Sequence, residues 1–555
     1  MTLMRFRFFF MYLGRRIMSV NCFDKLGVMF DCSRNAVLNK KTFCRMVDIL
    51  SALGYNFIRL YTEDTYEVTG EPYFGYMRGR YTCKELREMD AYAKSKGVEL
   101  IPCIQTLAHL NSIFRYKDYA CINDADDILL VGEERTYKLI DNMFKSLAKS
   151  FTSRTVNIGM DEAFKLGRGQ YLDKNGLQPS AHIMRQHLDR VLKIAEKYGF
   201  KCEMWGDMFL RSAYGGTAKF TKDESALVRK EVPENLKLIC WDYYHTNTKF
   251  YEKLIGKYYK LSNNVVFAGG AWAWLGFCPN NRYSIEACEA SVSACRKKGI
   301  KEYCITVWGD NGGECSPFGI LPTLFAVSQF AKGNFNEPLV KEMFKEYVGI
   351  DYNLFRALQL PDKYHSIEEK SDTFTASKTQ LYSAPFTGIF DAIITEGKAK
   401  DFYQNASAIL RQGETHPEWG YLFKTIRTLS DVLEIKFELG VKTRRIYKEG
   451  NREAIRELAQ TDYAELLVRI KAFYEAHEDA WMREKKPHGF DVQAERLGGL
   501  MQRIEHCKDR LIAYADGITD SIPELEEKLL KPLGYKNIKG ILMNIHDQIY
   551  TVNVP

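Results

Sequence analysis

The chain has 555 residues, 46% of them hydrophobic and 27% charged, with a net charge of +7. That length exceeds one ordinary core and implies more than one domain. Interspersed charge of so small a net value excludes a dedicated nucleic-acid surface, and no apolar run reaches the roughly 18–20 residues of a membrane span.

The chain opens with "MTLMRFRFFFMYLGRRIMSV", which imitates a signal peptide. Its apolar stretch, Phe8 to Leu13, is shorter than the roughly 7–15 residues such a peptide needs, and no small-residue cleavage site follows. Arg15 and Arg16 interrupt it. Residues 1–24 therefore read as a tail, with Met18 as an alternative start. Fourteen cysteines show no paired C-x-x-C spacing, and several (Cys103, Cys240, Cys304) lie within apolar runs. They read as free thiols of a reducing compartment, so the expected location is cytoplasmic.

From residue 25 a unit recurs: a short apolar run, a polar turn, then an amphipathic helical stretch. The runs are "LGVMFD" (26–31), "FIRLYT" (57–62), "ELIPCI" (99–104), "TVNIGM" (155–160), "KCEMWGD" (201–207), "KLICWDYY" (237–244), "VVFAGGAW" (265–272) and "KEYCITVW" (301–308). Helical stretches such as "KTFCRMVDILSALGY" end in Gly, at Gly54, Gly97, Gly199 and Gly299, as C-caps do. Apolar runs alternating with helices imply a parallel sheet, and this count and length predict an α/β fold, a (β/α)8 TIM barrel, over residues 25–335. A doubly wound sheet is the competing arrangement, but no Gly-rich phosphate loop follows the first strand. Residues 336–395 read as a mixed connecting region. The remainder of 336–555 reads as a mainly α-helical C-terminal domain, with a scaffolding or dimerising role.

Active sites of such barrels lie where strands end at the C-terminal face. The residues at those ends are Asp31 and Arg34; Glu63 and Asp64; His109; Asp161 and Glu162; Trp205 and Asp207; Trp241, Asp242 and Tyr243; Trp272 and Trp274; and Trp308, Asp310 and Glu314. Five of the seven tryptophans fall in this set, which predicts aromatic walls around a polar floor. Sugars present apolar faces to such walls and hydroxyls to Arg and carboxylates. No His-x-His or Glu-x-x-His grouping and no suitably placed Lys appears, so no metal and no other cofactor is expected. His109 also fits a core histidine, Asp207 and Asp242 fit structural roles equally well, and Tyr244 reads as core.

An Asp-Glu pair is by itself more often a helix N-terminus or a solvated turn than a catalytic site. Adjacent side chains diverge, so Asp161 and Glu162 cannot easily flank one scissile bond from opposite faces. A reaction in which the substrate supplies its own nucleophile removes that difficulty. The residues alone leave two classes open: a sugar hydrolase whose substrate supplies the nucleophile, and a sugar-binding barrel without catalysis.

"NIGMDEAFKLGRGQYLD", "DCSRNAV", "IPCIQTLAHLN", "EMWGDMF", "FAGGAWAWLGF" and "VWGDNGGECS" together resemble the β-N-acetylhexosaminidases of glycoside hydrolase family 20. The resemblance is to a compact bacterial branch without the N-terminal α/β domain of larger members. It implies an exo-β-N-acetylhexosaminidase that removes terminal β-GlcNAc, or β-GalNAc, with retention through an oxazoline; the rival enzyme is another acetamido-sugar barrel hydrolase, acting on O-GlcNAc peptides or internal chitin bonds. It implies Glu162 as general acid/base, Asp161 as the residue orienting the 2-acetamido group and Tyr243 as the donor to its oxygen. Arg34 and Asp310 would bind hydroxyls, His109 would stand beside the acid pair, and Trp205, Trp241 and Trp308 would form walls, with Trp272, Trp274 and Glu314 also at the substrate. A homodimer through the helical domain is implied as well. Two residues depart from the pattern: Met160 stands where the wider family often has Gly, and Phe164 where this branch has a polar residue.

Overall fold

The computed structural model describes residues 21–217, 219–333, 335–364, 375–531 and 545–550. Most of the expected tail, residues 1–20, lies outside the described residues, and so do residues 365–374 of the connecting region.

All eight apolar runs form parallel strands: β1 (Lys25–Asp31), β2 (Phe57–Tyr61), β3 (Glu99–Cys103), β4 (Thr155–Asn157), β5 (Lys201–Trp205), β6 (Lys237–Trp241), β7 (Val265–Gly270) and β8 (Glu302–Val307). They close into one barrel in chain order, with β8 pairing back onto β1. Alternation along the strands divides the side chains. Met29, Tyr61, Ile101, Trp205, Ile239 and Cys304 gather in one cluster inside the barrel. Their strand neighbours, such as Val28, Leu60, Leu100 and Leu238, join the larger core that includes the surrounding helices. Arg59 is buried within the barrel and neutralised by Glu203 and Glu302.

The helix Lys40–Leu53 starts where the Asn39 side chain accepts a hydrogen bond from Thr42 N–H and stops at Gly54, φ +87°. The expected helix-ending residues Gly97, Gly199 and Gly299 are left-handed in the same way. Two expectations change. The fourth run leaves the sheet after Asn157, because Asn157 Oδ1 accepts the Gly159 N–H at 2.8 Å and the backbone turns left-handed at Gly159 and Met160. Among its described residues the connecting region is helical rather than mixed, with helices Glu337–Val348, Tyr352–Arg356 and Ala376–Tyr382. Beyond it lie the long helices Ala399–Arg411, Gly420–Lys448, Ala464–Glu484 and Phe490–Ala515. Among the described residues no helix is long and apolar enough to cross a membrane.

Candidate active site

The turn after β4 gathers three residues of left-handed backbone within four positions. Gly159, Met160 and Glu162 have φ of +74°, +67° and +52°, a region costing about 1–2 kcal/mol for a residue with a Cβ. Left-handed residues of this kind persist where the surroundings over-determine them. Here Gln105, two residues beyond β3, does so. Its Oε1 accepts the Met160 N–H at 3.1 Å, and its Nε2 donates to Asp161 Oδ1 at 2.7 Å and to Tyr61 Oη at 3.0 Å. Gly159 has no room for a side chain: a Cβ would lie 2.1 Å from Gln105 Oε1 and 2.7 Å from the Ile104 carbonyl. On the other side, Asp207 accepts the Glu162 N–H at 3.0 Å and the Trp241 indole N–H at 3.4 Å. The turn therefore points the two neighbouring carboxylates apart, Asp161 inward and Glu162 outward.

These residues line a cavity of about 140 Å³ at the C-terminal mouth of the barrel. Arg34, His109, Asp161, Glu162, Trp205, Trp241, Tyr243, Trp274, Trp308 and Asp310 all border it, together with Tyr61 and Tyr244. Trp205 is buried and its indole nitrogen finds no protein partner among the described residues. Trp241 stacks on Tyr243 with ring centroids 5.4 Å apart, and Trp274 meets the same tyrosine edge-on at 5.6 Å. Trp308 stands edge-on to Tyr61 at 4.9 Å. Arg34 reaches Glu63 at 3.2 Å, and Tyr61 donates to that carboxylate at 3.0 Å.

The two acids differ electrically. His109 Nε2 lies 3.3 Å from Asp161 and 3.9 Å from Glu162. Burial alone would push the imidazole down, but Asp161 beside it carries His109 up to about 9. Burial would likewise raise Asp161, yet the His109 charge and the Gln105 hydrogen bond hold it below its ordinary value. Glu162 is raised, first by partial burial and then by the Asp161 charge. Asp207, fully enclosed and facing both carboxylates, is pushed up to about 7 by burial and then by Asp161. The pair is thus unequal: the inner carboxylate is held below its ordinary value and the outer one above it.

The model of the glycosyl hydrolase family 20 catalytic domain matches residues 23–253, and that of the Glycoside Hydrolase 20C C-terminal domain matches residues 353–543. The chain belongs to glycoside hydrolase family 20. Hexosaminidase D of Bos taurus is 24% identical over 241 residues, which are 41% of this chain and 63% of that protein. Beta-hexosaminidase 1 of Coccidioides posadasii is 21% identical over 242 residues, 39% of this chain and 36% of that one. The family 20 chain thus spans less than two thirds of the length of these curated relatives. Among solved structures, the chitobiase of Flavobacterium johnsoniae is 14% identical, with a TM-score of 0.45 over 91% of this chain and 74% of that one.

Two expected positions of the family 20 chain do not border the cavity. Trp272 is buried behind it, its indole N–H donating to the Tyr243 carbonyl at 3.0 Å, so it backs the wall formed by Tyr243 and Trp274. Glu314 points away from the mouth into the junction with the helical domain, where Lys378 pairs with it at 2.7 Å. Tyr244, read from the sequence as core, is 42% exposed at the mouth. Gln105 went unrecognised although "IPCIQTLAHL" shows a polar residue directly after an apolar strand, which was the available signal. Met160 occupies a left-handed position of the kind that favours glycine. Phe164 is 57% exposed, its N–H tied to the Glu162 carbonyl at 2.6 Å and the Arg211 guanidinium 4.4 Å from its ring.

Proposed function

We propose that the chain is an exo-acting, retaining β-N-acetylhexosaminidase that removes terminal non-reducing β-GlcNAc, with β-GalNAc as a second candidate substrate and no metal or other cofactor. The observation that carries this reading is the unlike setting of two adjacent carboxylates. Asp161 is enclosed and ionised beside the His109 imidazolium, while the Glu162 side chain is 45% exposed at the mouth and holds its proton more firmly than an ordinary carboxyl. A raised carboxyl pKa suits a general acid.

In the proposed reaction Glu162 gives its proton to the glycosidic oxygen as the bond from that oxygen to the anomeric carbon breaks. The carbonyl oxygen of the substrate's own acetamido group bonds to the same carbon from the opposite face, forming an oxazoline. The amide N–H turns to Asp161, whose negative charge balances the positive charge growing on the ring. Tyr243 donates a hydrogen bond from its hydroxyl to the acetamido oxygen and keeps its proton. Glu162, now a carboxylate, takes a proton from water, and the resulting hydroxide opens the oxazoline from the face the leaving group vacated. Two inversions give retention. Arg34 and Asp310 hold ring hydroxyls, and Trp205, Trp241, Trp274 and Trp308 wall the ring. Singly buried thiols such as Cys32, Cys103 and Cys240 support a reducing, cytoplasmic setting.

Hydrolysis of aryl β-GlcNAc, β-GalNAc and β-glucose substrates tests the reading. Equal activity on glucose contradicts an acetamido-dependent step. Cleavage only inside longer chitin chains contradicts exo action, and binding without release of sugar leaves a non-catalytic barrel. Glu162→Gln is expected to lower kcat by about 10²–10⁴-fold on chitobiose.

A further inference from the structure

The loop after β8 carries Trp308 and Asp310 into the cavity, and the residues that follow are held from outside the barrel. Arg496 donates to the Asn311 carbonyl at 2.8 Å, and the backbone N–H of His546 donates to the Asn311 side chain at 3.0 Å. Gln493 donates to the Gly312 carbonyl at 3.1 Å. Lys485 donates to the carbonyls of Gly313 and Cys315. The Glu314 carboxylate is shared by Lys378 at 2.7 Å and Arg496 at 3.3 Å. All of these donors belong to the helical C-terminal part, on the helices Ala376–Tyr382 and Phe490–Ala515 and the segments beside them. The glycines of "DNGGE" fit a loop pressed from both sides. A Cβ on Gly312, φ +117°, would sit 2.9 Å from Gln493 Nε2, and one on Gly313 would sit 2.3 Å from the Ala36 Cβ.

The neighbouring loop after β1, which carries Arg34, is held by the same domain. Leu38 bridges Lys485 in antiparallel fashion, with Lys486 N–H donating to the Val37 carbonyl at 2.8 Å and Asn39 N–H to the Glu484 carbonyl at 3.0 Å. Ala36 packs against Trp481 and Phe490. The acid side of the pocket has a different support. Asp161 accepts from Gln105, the Glu162 N–H donates to Asp207, and the His109 backbone N–H donates to Asp127 Oδ2 at 2.9 Å, all of them barrel residues.

We propose that the helical domain sets the pocket's grip on the sugar: Arg496, Lys378 and Lys485 are positioning residues that hold Asp310, Trp308 and Arg34 in place, while the barrel alone positions the acid pair. The inference rests on the reading of Arg34 and Asp310 as hydroxyl-binding groups. Lys378 and the Glu314 side chain are buried, so each needs the other; a buried charge left unpaired is strongly unfavourable. That mutual need ties the β8 loop to the helical domain as one unit. A disturbed clamp moves the groups that bind the ring and leaves the proton donor where it was, so the effect falls on KM.

The test uses the full chain with Arg496→Met, Arg496→Lys and Gln493→Leu. The last removes a single neutral hydrogen bond and is the variant most certain to fold. On aryl β-GlcNAc, Arg496→Met is expected to raise KM about tenfold, as losing binding shared by ground and transition states does, with kcat within about threefold. Arg496→Lys is expected to recover most of the loss and Gln493→Leu to raise KM in the same direction by less. Amide exchange followed by mass spectrometry is read alongside: residues 308–315 exchange at least about tenfold faster in Arg496→Met, while 157–164 do not change. A merely destabilised enzyme loses apparent kcat at constant KM and exchanges faster in both segments; either pattern overturns the proposal. If the wild-type chain releases no sugar, the functional reading fails, and the exchange contrast alone decides the clamp.

Discussion

Replacing Asp161 by Asn removes the charge that holds the proton on His109. The rise of His109 from 6.5 to about 9, at about 1.4 kcal/mol per pH unit, amounts to about 3 kcal/mol of preference for the imidazolium in the folded protein. A folded pKa above the unfolded one contributes stability that is complete below pH 6.5 and lost as pH rises through 9. In Asp161→Asn the largest remaining influence is burial, which favours the neutral ring, so that loss between pH 6.5 and 9 disappears. Asp207 titrates in a lower window that overlaps this one between pH 6.5 and 7. Raised from 3.8 to about 7, it contributes stability present below 3.8 and lost as pH rises through 7. It too falls in the variant, because Asp161 is its second cause. Guanidinium unfolding at pH 6 and pH 9 measures the difference for both proteins, and proton NMR of the His109 ring reads its titration directly. Activity is expected to drop about 10²–10³-fold, the usual cost of losing a group facing developing charge. A wild-type His109 titrating at or below 6.5, or equal stability loss from pH 6 to 9 in both proteins, refutes the reasoning.

Three further outcomes follow from the turn after β4. Gly159→Ala forces a Cβ into a left-handed position against Gln105 Oε1. The strain of about 1–2 kcal/mol is relieved by displacing Gln105, whose hydrogen bond to the Asp161 charge is worth about 1.5–3 kcal/mol; kcat/KM falls by about 10–100-fold, and unchanged kinetics contradict the role of Gln105. Met160→Gly gains about 1–2 kcal/mol of backbone relief but loses about 1.5–3 kcal/mol of side-chain burial and about 0.5–1 kcal/mol to backbone entropy. Burial wins, so urea denaturation should show a less stable protein, and a more stable one shows that strain dominates. Phe164 stands exposed two residues past Glu162, where a leaving group would lie, so Phe164→Ala is expected to leave stability within about 0.5 kcal/mol while lowering kcat/KM for chitobiose relative to methyl β-GlcNAc; an unchanged ratio shows that its ring does not contact the leaving group.

The eight-strand barrel was legible because both of its signals are local. A strand covered on both faces must be apolar along its length, and each following helix needs its own cap, so "FIRLYT" and "KTFCRMVDILSALG" can be read without knowing what they touch. The acid pair, His109, Arg34 and the ring of tryptophans were legible for a related reason: in a parallel barrel every strand end points to the same mouth. Sequence order alone therefore brings Asp161, Trp241 and Asp310 together, although they are far apart in the chain. What the sequence could not determine is where side chains at those ends point. Glu314 and Asp310 are four residues apart on one loop, yet one borders the cavity and the other is captured by Lys378, whose approach depends on the packing of a helix more than sixty residues later. The strained turn that separates Asp161 from Glu162 depends on Gln105 and Asp207, contributed by the segments that follow the flanking strands. Trp272 carries the same composition signal as Trp274, and only packing against Tyr243 sends it behind the wall. Periodicity and strand order are properties of the chain. Partner choice among buried polar groups is decided by desolvation, which exists only once the tertiary structure has enclosed them.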